Sequence, residues 1–152
     1  PGSPQAGVVS TLSGGAGLVS TAADYLRFCE MVRCGGMVDG VRVLPESLVA
    51  EMVRNQLPGD LVVMGQERFN ETSMRGVGYG FGVSVVIDPM VTAWSSPLGE
   101  IAWGGFASTA FWIDPVHDLS VLLLTQLIPS DRYPLRGELR SLVLEAVEAG
   151  EL

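Results

Sequence analysis

The chain has 152 residues, a formal net charge of −8 and an apolar fraction of 47%, and only 17% of its residues are charged. The apolar content excludes a disordered chain, and the acidic charge leaves no basic stripe that could neutralise the phosphates of a nucleic acid. No apolar run reaches the roughly 18 residues of a membrane helix, so we expect no membrane span.

The residue types that are missing exclude several kinds of catalytic site. All nine basic residues are arginine and His117 is the single histidine, which rules out a zinc site with two histidines and a Ser-Lys pair within the chain. No phosphate loop, dinucleotide-binding glycine pattern or Gly-x-Ser-x-Gly elbow occurs. We therefore expect no metal and no cofactor. No signal peptide is visible, which favours a cytoplasmic location.

Two helices are predicted in the first third of the chain, after a loop over residues 1–13 and a flexible glycine-rich stretch over 14–17. Thr21 followed by Asp24 fits a capping box, which predicts a helix over about 22–34. Its apolar side chains recur at helical spacing and form one buried stripe: Tyr25, Phe28, Cys29 and Val32. Pro45 suits the first turn of a second helix, about 45–55. The buried stripe of that helix is Leu48, Val49, Met52 and Val53.

The state of the two cysteines and the segments between the helices and the sheet are predicted from residue spacing and turn residues. Cys29 and Cys34 are five residues apart in one helix, where a disulfide is geometrically poor, so we expect two free thiols with Cys29 in the core. A small hairpin is predicted over 37–43 around an Asp-Gly turn. Residues 56–76 lack clear periodicity and are typical of a functional or mobile loop.

The second half of the chain predicts an antiparallel sheet. Alternation over 79–87 indicates a strand whose glycine-rich face, Gly78, Gly80 and Gly82, receives a tightly packed element such as a helix. Residues 92–94 and 101–103 are expected to pair around 95–99. A hairpin of strands 106–113 and 119–127 follows, with His117 as a surface residue of its turn.

A closing helix is predicted over about 132–149, with the apolar stripe Leu135, Leu139, Leu142, Val143 and Ala146. The fold class is therefore α+β, an antiparallel sheet of about four strands with helices packed on it.

Trp103-Gly104-Gly105-Phe106 precedes the predicted hairpin and is the candidate functional segment. Two adjacent glycines weaken a strand because they lose backbone entropy and pack no side chain. Close approach of another backbone or of a ligand usually compensates, which favours a substrate-facing strand edge. A β-bulge or a tight packing contact is the alternative.

Several of these segments, in this order, resemble the serine β-lactamase-like family: the run 15–28, Leu44-Pro45-Glu46-Ser47 with Met52, the run 78–82, and Trp103-Gly104-Gly105. The resemblance covers nearly the whole chain and is closest to the β-lactamase-like carboxylesterases, relatives of class C β-lactamases and penicillin-binding proteins. It implies that residues 1–152 are the C-terminal portion of a single β-lactamase/transpeptidase-like catalytic domain.

The family uses three motifs, Ser-x-x-Lys, Tyr-x-Asn and Lys-Thr-Gly, and only the third has a counterpart here. Trp103, Gly104 and Gly105 take its Lys, Thr and Gly positions. The first motif needs a lysine, and none of the three tyrosines is followed two positions later by asparagine. The resemblance therefore implies that the nucleophile, its lysine and the catalytic tyrosine lie in upstream sequence.

The resemblance also gives the segment a role in ester hydrolysis through an acyl-enzyme. The backbone amide of Phe106 would donate to the oxyanion, while Gly104 and Gly105 would keep the strand edge free for an acyl group. Trp103 would replace a cation with an apolar wall, which favours small uncharged esters over β-lactams. The expected partner is the N-terminal part of the same protein or a second copy. The alternative function is a non-catalytic binding or scaffold protein of the same fold.

Overall fold

The computed structural model describes residues 18–69 and 72–151. These residues form three helices, α1 (Ala22–Arg33), α2 (Glu46–Met52) and α3 (Leu135–Glu148). Two small hairpins pair β1 (Met37–Val38) with β2 (Val41–Arg42) and β3 (Arg68–Phe69) with β4 (Thr72–Ser73). The loop predicted over 1–13 and the flexible stretch predicted over 14–17 lie outside the described residues.

The main sheet has five antiparallel strands whose spatial order follows the chain: β5 (Val77–Tyr79), β6 (Ser84–Val86), β7 (Ile101–Gly104), β8 (Ala110–Asp114) and β9 (Leu119–Leu123). The predicted α+β class with helices packed on an antiparallel sheet is confirmed, although the main sheet has five strands rather than about four. The β8–β9 pairing also confirms the predicted hairpin.

The helices cover opposite faces of the sheet. Trp103 lies opposite Phe111, which lies opposite Leu122, so the three side chains share one face. That face packs on α1 and α2 through a core centred on Cys29, Val32 and Val49. Trp112, the neighbour of Phe111, belongs to the other face, where a side chain of α3 stacks on it. The α1 and α2 layer and the α3 layer thus sandwich the sheet.

The first helix follows its sequence signals closely. The amide of Asp24 donates to Thr21 Oγ1 over 3.1 Å, and the Thr21 hydroxyl donates to the Asp24 carboxylate over 2.8 Å. Tyr25, Phe28, Cys29 and Val32 all face the core, as their spacing predicts. Both cysteines are free, and burial, aided by the nearby charge of Glu30, raises the pKa of the Cys29 thiol to about 11. Cys34 is exposed.

The single strand predicted over 79–87 is wrong, because the chain reverses within it. Residues 80–83 turn the chain between β5 and β6, and Gly82 adopts a positive φ of 82° that a strand does not use. The glycines nevertheless receive a tightly packed element. A Cβ on Gly80 would lie 2.1 Å from the carbonyl oxygen of Met52, the last residue of α2, and a Cβ on Gly78 would lie 2.5 Å from Asn55.

The pairing predicted between 92–94 and 101–103 is also wrong. β7 pairs instead with β6 on one side and β8 on the other, while residues 92–94 are irregular. The reason is the buried side chain of Glu100, which turns inward to meet Ser96 and an arginine of α3. These contacts draw residues 95–100 toward α3.

Both later helices are shorter than predicted, and one leucine of each predicted stripe is exposed. Leu48 of α2 faces solvent, and Leu142 of α3 is 62% exposed. Arg136 and Arg140 of α3 face the sheet instead. An arginine on the inner face of a helix needs a partner that local periodicity does not reveal.

The β8–β9 turn contains His117, as predicted. The Asp114 carboxylate accepts hydrogen bonds from the amides of Val116 and His117 over 2.8 and 2.9 Å, and it lies 2.8 Å from His117 Nδ1. Burial opposes the charge on Asp114, but the hydrogen bonds from the side chain and amide of His117 and the amide of Val116 outweigh it and lower the pKa of the carboxyl group. His117 therefore stabilises the β8–β9 turn through its hydrogen bonds to Asp114.

A buried ion pair joins α3 to the sheet. Arg140 Nη1 donates to Glu100 Oε2 over 2.9 Å, Nη2 forms an ion pair with Oε1 at 2.8 Å, and Glu100 is only 3% exposed. The guanidinium carbon lies 4.8 Å from the ring centre of Trp94 and 4.5 Å from that of Trp112. Two-point pairing with stacking on both faces offsets the cost of removing both charges from water.

Arg140→Met should lower the free energy of unfolding by about 3–5 kcal/mol, because it leaves the Glu100 carboxylate buried without its cation. Urea unfolding measures the loss. Arg54→Met is the matched control, since Arg54 forms an ion pair with Glu51 on the surface, and its unfolding midpoint should stay close to that of the wild type. Equal effects of the two substitutions would mean that the buried pair does not hold α3 on the sheet.

Candidate functional site

The four predicted site residues lie where β7 ends and the chain turns into β8. Trp103 and Gly104 are the last residues of β7, and Gly105 and Phe106 begin the turn. The turn closes because the Gly105 amide donates to the Thr109 carbonyl over 2.9 Å. The strand predicted from residue 106 therefore begins only at Ala110.

Trp103 has two aromatic neighbours. Its ring centre lies 4.8 Å from that of Phe69 and 4.9 Å from that of Tyr79. Half-buried, it packs at the edge of the core and also lines an open groove.

The two glycines allow other parts of this protein to come close. A Cβ on Gly104 would lie 3.1 Å from the Thr109 carbonyl oxygen, 3.1 Å from the Phe69 ring and 3.3 Å from Arg136 Nε. A Cβ on Gly105 would lie 2.3 Å from Thr109 Oγ1. The close approach expected at this pair of glycines is therefore made by the protein's own backbone and side chains.

Phe106 lies at the surface of the turn. The residue is 76% exposed. Its N–H donates a hydrogen bond to no residue within 18–69 or 72–151. An amide without an acceptor, beside a groove, is available to a bound molecule.

Ala107 and Ser108 also anchor the turn, through hydrogen bonds that the sequence does not indicate. Ser108 is buried with a positive φ of 64°, and its hydroxyl donates to the Leu127 carbonyl over 2.8 Å. The Ala107 carbonyl accepts from the Leu127 amide over 3.2 Å and from the Thr125 hydroxyl. The segment that follows β9 therefore fastens the far side of the turn.

Arg136, in the first turn of α3, contacts the turn on the side that faces this helix. Its Nη2 donates to the carbonyls of Gly105 and Thr109 over 3.2 and 3.3 Å, and the residue is only 5% exposed. The four-residue spacing of Arg136 and Arg140 places both arginines on one face of α3. That spacing is the only sequence signal for this contact, and it is typical of a solvated helix face.

A groove of about 630 Å³ opens beside Trp103, Gly104 and Gly105. None of the described residues that line it carries a charge. The remaining lining comes from three stretches: 18–21 with Tyr25, 109–111, and Leu122 with 124–126. The groove therefore suits an uncharged molecule.

The described residues around the groove include a backbone N–H without an acceptor but no activated nucleophile. His117 lies in the turn beyond the opposite end of β8, and Ala110 and Asp114, the two ends of that strand, are four residues and so roughly 13 Å apart. Within the part of the chain that the structure describes, no three His, Cys, Asp or Glu side chains are grouped to hold a metal ion. None of the three described helices is long and apolar enough to cross a bilayer.

Curated relatives share the sequence across most of this chain. Protein Rv1367c of Mycobacterium tuberculosis (strain ATCC 25618 / H37Rv) is 38% identical over 137 residues, which are 84% of this chain and 32% of that protein. Esterase EstB of Burkholderia gladioli is 36% identical over 115 residues, 74% of this chain and 25% of the esterase. The chain spans a third or less of these relatives.

Solved structures share the fold. EstCE1, described as a hydrolase with promiscuous acyltransferase activity, superposes with a TM-score of 0.64 at 29% identity, over 82% of this chain and 30% of EstCE1. Simvastatin synthase (LovD) from Aspergillus terreus gives a TM-score of 0.67 at 18% identity, over 86% of this chain and 34% of the synthase. At that identity LovD supports the fold alone.

The order of elements, the five-stranded antiparallel sheet and these neighbours agree with the family comparison. The model of the Beta-lactamase family matches residues 1–145 of the sequence. The partial coverage of each neighbour fits a C-terminal piece of their common domain. This chain belongs to the Beta-lactamase family.

Proposed function

We propose that the chain is the C-terminal portion of a β-lactamase-like carboxylesterase that works through an acyl-enzyme. The observation that carries the proposal is the amide of the exposed residue Phe106, which has no acceptor among the described residues and lies beside a groove without charged lining. A relative named as an esterase and a structural neighbour described as a hydrolase support the reaction class.

In this proposal the turn after β7 stabilises charge. As a nucleophile adds to an ester carbonyl, the oxygen becomes negative, and a fixed backbone N–H aimed at it lowers the barrier. The Phe106 amide is one donor, and the amide of the upstream serine is the second. The nucleophile, its lysine and the catalytic tyrosine come from the upstream sequence, so residues 1–152 alone should not hydrolyse esters.

The substrate class follows from the surroundings of the amide. Trp103 stands where the family's third motif carries lysine, and its ring packs between Phe69 and Tyr79. The described lining of the groove offers no cation to a substrate carboxylate. We therefore assign small uncharged esters, rather than β-lactams, as the preferred substrates.

Phe106→Pro tests the oxyanion donor, because proline removes the backbone N–H. In the protein that carries this chain with its upstream part, kcat for a chromogenic short-chain ester should fall by about 10²–10³-fold. Phe106→Ala is the matched control, since it removes the exposed ring and keeps the N–H, and its kcat should stay within a few-fold of the wild type.

Equal activity of the proline and alanine variants would remove Phe106 from the mechanism. A wild-type protein with no ester turnover and no reaction with a serine-directed phosphonate would favour the alternative, a non-catalytic binding or scaffold protein of this family. Turnover by residues 1–152 alone would contradict the upstream nucleophile.

Trp103→Lys should raise the ratio of β-lactam to ester hydrolysis by an amount equivalent to roughly 1–3 kcal/mol, because it supplies one charge-assisted contact to a substrate carboxylate. Trp103→Leu keeps the wall apolar and should leave the ratio near that of the wild type. Competing kcat/KM measurements on a penicillin and a chromogenic ester decide. Efficient penicillin hydrolysis by the unmodified protein would refute the substrate assignment.

The same proposal includes a partner for two surfaces. β9 is the last strand of the sheet described here, and an open strand edge is a template for pairing. Leu142 on the outer side of α3 is 62% exposed. The N-terminal part of the same protein, or a second copy, would cover these surfaces.

Light scattering on residues 1–152 tests this partner proposal. The chain by itself should be larger than a monomer at micromolar concentration, because the open edge and the exposed apolar side chains then meet between copies. A stable monomer with a sharp thermal transition would show that the chain is self-sufficient and that these surfaces need no cover.

A further inference from the structure

The Arg136 guanidinium lies behind the peptide that joins Gly105 to Phe106. Its Nη2 donates to the Gly105 carbonyl over 3.2 Å and to the Thr109 carbonyl over 3.3 Å. The residue is 5% exposed and its guanidinium carbon lies 5.9 Å from the ring centre of Phe69. The buried guanidinium is therefore held by hydrogen bonds on the carbonyl side of the turn.

Peptide geometry carries this contact to the proposed oxyanion donor. The Gly105 carbonyl and the Phe106 N–H belong to one planar trans peptide unit, in which C=O and N–H point in opposite directions. A group that fixes the carbonyl therefore fixes the direction of the N–H on the other side. The positive charge near the carbonyl also polarises the peptide and makes its N–H a stronger donor.

The surrounding contacts leave the Gly105–Phe106 peptide little freedom. The Thr109 carbonyl accepts a hydrogen bond from the Gly105 amide over 2.9 Å and another from Arg136. This one acceptor therefore connects the start of the turn, the end of the turn and the guanidinium. Arg136 Nε lies 3.3 Å from where a Cβ on Gly104 would stand. Because Gly104 has no side chain, the guanidinium can pack against the end of β7.

We propose that Arg136 is a positioning residue for ester hydrolysis, holding the Gly105 carbonyl so that the Phe106 N–H faces the developing oxyanion. The proposal rests on the function proposed above. A purely structural arginine would only help to seat α3, and its removal would lower stability without a selective effect on the chemical step. The two roles therefore differ in how kcat and KM respond.

Kinetics of Arg136→Met and Arg136→Lys, in the protein that carries this chain with its upstream part, distinguish the roles. For Arg136→Met we expect kcat to fall about 100-fold, as when an oxyanion donor is lost, with KM within about threefold of the wild type. Arg136→Lys keeps a charged donor and should recover about tenfold of that loss. Arg132→Met is the matched control, since Arg132 is exposed just before α3, and its kcat should not change.

An NMR measurement reads the amide without using activity. With ¹⁵N-labelled phenylalanine, of which the chain has five, the Phe106 signal is the one that disappears in Phe106→Ala. Arg136→Met should shift or broaden this signal, Arg136→Lys should do so less, and Arg132→Met should leave it in place. If Arg136→Met does not fold, the lysine variant carries both measurements.

The outcomes separate this inference from the function on which it rests. If esters are hydrolysed but both Arg136 variants keep kcat and leave the Phe106 signal unmoved, the positioning role is wrong and the esterase stands. If the wild type hydrolyses no ester while the Phe106 signal still follows Arg136, the esterase is wrong and the control of the amide stands. Lower stability with unchanged kcat and an unmoved signal would make Arg136 merely structural.

Discussion

The buried ion pair between Glu100 and Arg140 is the constraint on which the α3 side of the molecule depends. Glu100 immediately precedes β7, and Arg140 lies at the middle of α3, between the rings of Trp94 and Trp112. Neither charge is tolerable in this place without the other. The pair therefore fixes both where α3 crosses the sheet and which face it turns inward. That face brings Arg136, one helical turn earlier, to the end of β7.

The turn after β7 is consequently held on two sides. Arg136 reaches it from α3, and residues Thr125 and Leu127 bind its far side through Ala107 and Ser108. Catalysis by a fixed dipole requires that the donor does not reorganise as charge develops. A turn anchored by the side chains of Arg136, Ser108 and Thr125 would meet that requirement, and the donor itself is a backbone N–H.

The sequence predicts the features of this fold that are determined by residues close together in the chain. The capping box and apolar spacing of α1 and the Asp-Pro turn of the β8–β9 hairpin are each set by neighbours in the chain, as is the cluster of site residues, which are contiguous. The reversal at 80–83 was missed because alternating glycines look like one face of a strand, although Gly82 needs a left-handed φ. The inner face of α3 was missed because Glu100 lies 40 residues from Arg140 in sequence. Periodicity then assigns leucines, rather than arginines, to the core.

The contact between Gly104 and Arg136 joins two positions that are 32 residues apart. Any side chain at 104 would stand 3.1 Å from the Phe69 ring and from a backbone carbonyl, and 3.3 Å from the guanidinium. A threonine there, as in the family's third motif, and an arginine at 136 compete for the same space. The absence of a Cβ at 104 therefore leaves the space that the Arg136 guanidinium occupies. A larger residue at 104 would have to displace either that side chain or the end of β7.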